Sequence, residues 1–219
     1  MPLRSERDNR VRLTVFGATG GVGTQLVGQA LDSGHAVTAF VREPATLARS
    51  DELVVIVGRL DDYAAVEGAI DGADVILSAL GARRNTPDQV TVFSTAMANI
   101  TRAMQKTGVK RLVAISGAGV IVPGDTVTLS RRLVRFLLRR LAAHIATAKE
   151  REYEIVSATD LDWTLVRPPR IVPGPATGRY RVFAGRVPSP RISQGDVAHF
   201  MLRCVGSHEW VRKAPILGY

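Results

Sequence analysis

The chain has one cysteine, few aromatic residues and no long apolar run, and each scarcity removes a class of protein. Cys204 stands alone among 219 residues, so no internal disulfide can form, and its apolar helical surroundings read as core in a reducing compartment. Phe, Trp and Tyr make up only 5% of the chain and no recognisable nucleic-acid motif accompanies them, which argues against a nucleic-acid partner. No run approaches the roughly 18 apolar residues of a membrane span, and polar residues 1–10 hold no signal-peptide core, which predicts a soluble, cytoplasmic protein. Cys and His nowhere cluster at metal-ligand spacing, so no metal is expected.

What is present is a chain 46% hydrophobic with a formal charge of +9, long enough for one compact domain with a substantial core. Such a charge suits an anionic cofactor and an anionic substrate without any polymer. Five arginines fall within residues 131–140, opposite Leu133, Val134, Leu137, Leu138 and Leu141 on a basic amphipathic helix. That helix reads as plain packing, as a lid attracting anionic substrate, or as a membrane or partner surface.

The most informative stretch is Leu13-Thr-Val-Phe-Gly-Ala-Thr-Gly-Gly-Val-Gly23. Residues 13–16 form an uncharged β-branched and aromatic run, and Val22, Leu26, Val27, Ala30 and Leu31 then recur at helical spacing, which predicts strand, tight turn and helix. Gly17 suits the sharp turn, Gly20 lets backbone approach a pyrophosphate, and Gly23 lets the helix pack closely on the strand. Thr19, Gly21 and Val22 complete this candidate cofactor loop, whose free N–H groups would face the phosphates. The G-x-x-G-x-x-G spacing resembles the Gly-Ala-Thr-Gly-x-x-Gly of extended and atypical short-chain dehydrogenases/reductases.

The remaining chain alternates strand and helix, which predicts a Rossmann-type, doubly wound parallel α/β sheet in a single domain over 1–219, with a small substrate-covering part over about 170–219. Ala36-Val-Thr-Ala-Phe-Val41 is the second strand, and Arg42 at its end suits the 2′-phosphate of NADP(H), with Arg49 in reach. Residues 53–57 form a continuous apolar run, expected of a parallel strand buried on both faces. Asp62 caps the helix that follows, and Val75-Ile-Leu-Ser78 is the fourth strand. Ligands of such sheets lie beyond the carboxyl ends of the strands, which makes Arg59, Leu60, Ala79, Leu80 and Gly81 candidate cofactor contacts. A long helix over 89–106 carries Asn99, read as a satisfied helix polar residue in preference to a catalytic one. Strand 111–115 then delivers Ser116, whose hydroxyl can donate to an acceptor gaining charge during hydride transfer.

Asp162-Trp-Thr-Leu-Val-Arg-Pro-Pro169 is the sixth strand and its exit. In extended-type reductases a Tyr-x-x-x-Lys pair precedes the equivalent aspartate; counting back reaches Lys149, but the tyrosine's place holds Ile145. His144 and Tyr153 are weaker substitutes. Residues 178–187 read as a hairpin over the site, and Ser193-Gln-Gly-Asp196 as a capping-box-like start to the last helix, with His199 structural.

Several patterns together resemble the biliverdin-IX-beta reductase/NADPH-dependent flavin reductase family: the glycine loop, Val41-Arg42, Leu80-Gly81 followed by Arg83-Arg84-Asn85, Arg191-Ile-Ser193 and His199-Phe-Met-Leu-Arg-Cys204. The resemblance implies a monomer binding NADPH beside a shallow pocket for flavins or linear tetrapyrroles, with hydride passing directly to the acceptor and Ser116 as the active-site serine. This chain departs from the family in having Arg170 for a histidine, Thr46 for a second arginine and Arg59 for an aspartate. Arg170 would bind a propionate or phosphate of an anionic acceptor. The missing tyrosine keeps open an NmrA-like, non-catalytic NADP(H) sensor, and the basic helix a membrane- or nucleic-acid-surface protein on a Rossmann scaffold.

Overall fold

The computed structural model describes residues 10–44, 47, 50–81, 84–125, 136, 140–183 and 189–219. Thr46, Arg49 and Arg83 lie outside these residues, as does the basic helix expected over 131–141 apart from Phe136, Arg140 and Leu141.

Strand β1 (Arg12–Phe16) alternates Leu13 and Val15 toward one face of the sheet and Thr14 and Phe16 toward the other, and all four are buried. It runs parallel to β2 (Ala36–Val41) on one side and β4 (Val75–Ser78) on the other. With β3 (Leu53–Val57), β5 (Arg111–Ile115) and β6 (Asp162–Val166) the sheet has six parallel strands in the order β3-β2-β1-β4-β5-β6. The direction of winding reverses between β1 and β4, where the strand ends diverge and leave a crevice.

Helix α1 (Gly21–Asp32) buries Val22, Leu26, Val27 and Ala30 on one face of the sheet. The last helix, α5 (Gln194–Arg203), packs beside it with Val197, Phe200 and Met201 inward. The opposite face is covered by α2 (Tyr63–Ile70), α3 (Pro87–Thr107) and α4 (Ala143–Ser157). Local chemistry sets their ends. The Asp62 carboxylate accepts from the Ala65 N–H at 3.2 Å, Pro87 opens α3, and Gly108 closes it at φ +80°. Ser193 caps α5 by accepting from the Asp196 N–H at 3.0 Å.

One expectation needs correction. The β3 run is not buried on both faces: β3 is the edge strand, and Val54 and Val57 are 57% and 52% exposed. A continuous apolar run therefore marked a parallel strand without telling its place in the sheet. Of the hairpin expected over 178–187, the described strand, β8 (Arg181–Phe183), pairs antiparallel with β10 (Ile216–Gly218). Residues 184–188 lie outside the described residues. Beside this ribbon, β7 (Arg170–Val172) pairs with β9 (Arg191–Ser193) beyond the exit of β6.

Candidate cofactor and acceptor site

The first βα turn is built by close approach. Gly17 has φ +79°, and a Cβ placed there would stand 2.9 Å from the carbonyl of Ala79 just past β4. A Cβ at Gly23 would come within 2.0 Å of the Gly17 carbonyl oxygen, so glycine is what lets the first turn of α1 close on the loop. The Gly20 N–H donates to Gly17 O at 3.0 Å, and α1 begins with no side chain capping it. The cradle therefore ends in free backbone donors at a helix N-terminus, and these residues fit a dinucleotide pyrophosphate. Val22 turns its side chain into the core, so it can serve a cofactor only through its backbone.

In front of the turn lies a cavity of about 440 Å³ whose lining includes Gly17, Thr19, Arg42, Leu60, Leu80 and Gly81. Its walls are completed by Phe40, Val41, Glu43, Pro44, Gln89, Val92, Phe93 and Ala96, so that a carboxylate adjoins Arg42 in the lining. A comparable hollow of about 430 Å³ opens at the amino ends of β1, β2 and β3, away from the crevice that this topology provides for ligands. Arg42 is exposed just past β2, and its guanidinium makes no ion pair among the described residues. Ala79 touches Gly17 through backbone without lining the cavity, its N–H donating to Phe16 O at 2.9 Å. Arg59 lies outside the lining, its exposed guanidinium held by Asp61 at 3.0 and 2.7 Å. Asn99 donates from Nδ2 to Leu60 O at 2.8 Å, which gives this helix residue the task of holding a cavity-wall loop.

Behind the Leu80 and Phe93 wall stands Lys149. Its Nζ donates to Ile115 O at 2.6 Å and Leu80 O at 3.2 Å, pairs with Glu152 at 3.2 Å, and lies 4.3 Å from the centre of the Phe93 ring. One ammonium thus ties together the exits of β4 and β5. Burial lowers the Lys149 pKa from the ordinary lysine value, opposed by the Glu152 charge. Burial likewise raises Glu152, opposed by Lys149 and by a hydrogen bond from Ser116 when the hydroxyl turns toward it. Ser116 is 5% exposed; its N–H donates to Val166 O at 2.7 Å, while its Oγ as placed meets no partner at hydrogen-bond geometry.

Ile145 at the tyrosine's place is half-buried near the start of α4, where Asn85 Oδ1 accepts from the His144 and Ile145 N–H groups at 2.9 and 3.4 Å. Asn85 is therefore a helix cap reaching from the loop after β4. Tyr153 packs edge-on against Trp163, its ring centre 6.2 Å away, and His199 Nδ1 is bonded to the Tyr180 hydroxyl at 2.8 Å. Arg170 is exposed beside Arg191, and neither guanidinium has a hydrogen-bond or ion-pair partner among the described residues.

Sequence reasoning missed Glu152, although its spacing of three from Lys149 on a helix was a legible signal. It also missed Arg167, whose fully buried guanidinium holds Asp125 at 2.6 and 2.8 Å and donates to Val120 O and Ala214 O, each at 2.7 Å. That clasp fixes the loop after Ser116 against the exit of β6.

A family model described as NAD(P)H-binding matches residues 17–208. The chain is 32% identical to 3 beta-hydroxysteroid dehydrogenase/Delta 5-->4-isomerase of Mycobacterium tuberculosis over 128 residues, covering 53% of this chain and 34% of that one. It thus spans about a third of that relative's length. A wide-type short-chain dehydrogenase/reductase from Veillonella parvula, solved in complex with NADP, superposes with a TM-score of 0.77 at 18% identity, over 95% of this chain and 94% of that one. The anaerobillin reductase ChuY of Escherichia coli O157:H7 does so with a TM-score of 0.75 at 19% identity, over 94% and 96%. At these identities the two structures share the fold.

Proposed function

This chain belongs to the NAD(P)H-binding family matched over residues 17–208, and on that premise we propose that it is a reductase of the atypical short-chain dehydrogenase/reductase type, dependent on NADPH and acting on flavins, biliverdin-like tetrapyrroles or related conjugated acceptors. One observation carries the reading: a glycine cradle, an arginine past β2 with no ion pair among the described residues and a buried serine past β5 all stand at the carboxyl ends of one parallel sheet. The name of the ChuY neighbour supports a tetrapyrrole among the candidate acceptors.

Gly17, Gly20 and Gly23 shape the pyrophosphate cradle, the backbone of Gly21 and Val22 supplies donors, and Thr19, Leu60, Leu80 and Gly81 line the cofactor's path. Arg42 holds the 2′-phosphate. The bound nicotinamide would supply hydride. Ser116 orients the acceptor by donating from Oγ to the atom that gains charge, and Lys149 keeps the β4 and β5 exits in register around it. The β7 to β10 region covers the acceptor, with Arg170 meeting an anionic substituent. We assign the working form to the monomer.

A second reading, an NADP(H)-responsive regulatory protein, is favoured by Ile145 at the position of the usual phenolic donor. NADPH oxidation with FMN, riboflavin, biliverdin isomers and a quinone separates the two. The reductase reading expects turnover that collapses in Ser116→Ala, whereas NADPH stabilisation with turnover of no acceptor refutes it. Arg42→Ala should lose about 1.5–3 kcal/mol of NADPH affinity, roughly ten- to hundredfold, with NADH affinity unaffected. An unchanged preference would remove Arg42 from the 2′-phosphate.

A further inference from the structure

The outer strand of the sheet leaves a row of backbone groups unanswered. Glu52 O accepts from the Val37 N–H at 2.8 Å and the Gly58 N–H donates to Val41 O at 2.9 Å, so the even-numbered residues of β3 address β2. Alternation along the strand then turns the N–H and C=O groups of Leu53, Val55 and Val57 away from the sheet. The Leu53 N–H is taken by Ser50 O at 3.1 Å, and the other outward groups meet no partner among the described residues. Sheet edges are ordinarily blunted by a proline, a lysine or a bulge. β3 has none of these: it reads Leu-Val-Val-Ile-Val, it pairs with β2 without a break, and Val54, Val55 and Val57 are 57%, 39% and 52% exposed.

We propose that this edge pairs with the same edge of a second copy, antiparallel about a two-fold axis at Val55, joining the two six-stranded sheets into one. In this register Val55 exchanges both of its bonds with Val55 of the partner subunit, and the Val57 N–H donates to the carbonyl oxygen of Leu53 of the partner subunit. An axis one residue to either side would set one of the three outward residues against a residue beyond the strand. The exposed valines are covered at the same time: Val54 meets Ile56 of the partner subunit on one face, and Val57 meets Leu53 of the partner subunit on the other. The charges at the strand ends agree. Asp51, exposed and without an ion pair among the described residues, comes to lie across from Arg59 of the partner subunit; Asp61 holds the Nε and Nη2 of Arg59 and leaves Nη1 free. The two-fold repeats that contact at the other end. A strand from another protein would meet the same backbone groups, but this self-complementary order of acid, apolar run and base fits a second copy. Every residue of the candidate cofactor and acceptor site lies within one copy, so the monomer stays the working unit and the pairing is a reversible association. It does not depend on the reductase reading.

Sedimentation equilibrium of the full chain, from micromolar to millimolar concentration, should show the mass rising from that of one chain toward that of two. Val55→Lys sets two ammonium groups against each other at the axis and should hold the chain monomeric with an unchanged circular dichroism spectrum. Should that variant fold poorly, surface charge exchange serves instead: Asp51→Arg and Arg59→Asp should each weaken association about tenfold at low salt, and the double variant should restore it. Amide exchange reports the register. The Val55 and Val57 N–H groups should exchange quickly in dilute protein and slow about tenfold or more as dimer forms, while Val54 and Ile56 stay protected throughout. A chain that is monomeric at millimolar concentration overturns the proposal, as does a dimer indifferent to Val55→Lys and to both charge variants. Protection of Val55 and Val57 in the dilute monomer would put another part of the chain on this edge and overturns it equally. Association with the expected pattern in a chain that turns over no acceptor upholds the pairing while refuting the reductase reading.

Discussion

Gly23 and Gly28 occupy the same helix and offer a matched pair of alanine substitutions with opposite expected signs. At Gly28 an added Cβ meets nothing within 4 Å, so Gly28→Ala should gain about 0.5–1 kcal/mol from the reduced freedom of the unfolded chain. At Gly23 the same methyl would lie 2.0 Å from Gly17 O, 2.7 Å from Gly17 C and 2.8 Å from Ala18 Cα, all of them backbone atoms that cannot rotate aside. The turn and helix must then separate, at the upper end of the roughly 1–3 kcal/mol typical of overpacking, which exceeds the helix-propensity gain. For a chain of this size about 1 kcal/mol moves the melting temperature by roughly 2–4 °C. Thermal unfolding should therefore place Gly28→Ala about 1–4 °C above the wild type and Gly23→Ala several degrees below it. Because the displaced turn is the phosphate cradle, NADPH affinity should fall at least about tenfold in Gly23→Ala and stay unchanged in Gly28→Ala. A Gly23→Ala protein that melts at or above the wild-type temperature and binds NADPH normally would refute the close-approach argument.

Three further outcomes follow from buried polar groups. Burial pushes the Cys204 thiol up to about 12, so a thiol reagent at pH 8 should label it only after addition of denaturant, and rapid native labelling would contradict its burial. For Asp196, burial acts upward but is outweighed by hydrogen bonds from Tyr219, Thr177 and Gly178, leaving its pKa below the ordinary value of 3.8. Its stabilising contribution is present above that value and is lost as pH falls through the lowered one; Asp196→Asn should cost about 1.5–3 kcal/mol at neutral pH and flatten the acid limb of a stability profile, and an unaltered limb would count against it. Arg167→Met removes the bidentate partner of buried Asp125 and should cost about 3–5 kcal/mol in urea unfolding, with a loss under 1 kcal/mol marking the clasp as dispensable.

The order of elements was legible because each carries its own short-range signal: glycines at 17, 20 and 23, helical spacing from Val22, and prolines stopping the strand after Arg167. Position within the sheet was not, and β3 shows why. Its valines satisfy a rule about parallel pairing with β2, yet nothing local states that no strand follows on the other side. The partner of β8 was illegible for the same reason, since β10 lies more than thirty residues away. Of the candidate residues named from motif and strand-end position, Gly17, Thr19, Arg42, Leu60, Leu80 and Gly81 line the cavity, whereas Ser116 and Lys149 lie outside its lining. Phe93 and Arg167 could not be ranked above ordinary core and strand residues, because their significance lies in the groups they meet from other elements, whereas the spacing of Glu152 from Lys149 was legible and was overlooked. Arg59 had the right position past β3 but a carboxylate two residues on to hold it.

The tie made by Lys149 has a consequence for how the two halves of the crevice respond to each other. Gly17 abuts the backbone of Ala79 and Leu80; Leu80 O holds Lys149; Lys149 also holds Ile115 O, one residue before Ser116. The series of contacts is continuous, so a displacement of the turn by a bound phosphate would be passed toward the serine's anchorage, and a ligand on the serine would oppose or favour it. Thermodynamic reciprocity then obliges whatever tightens one end to be tightened by the other to the same degree. The two ligands would be sensed as a pair, and their order of arrival would leave the final affinity of the ternary assembly unchanged.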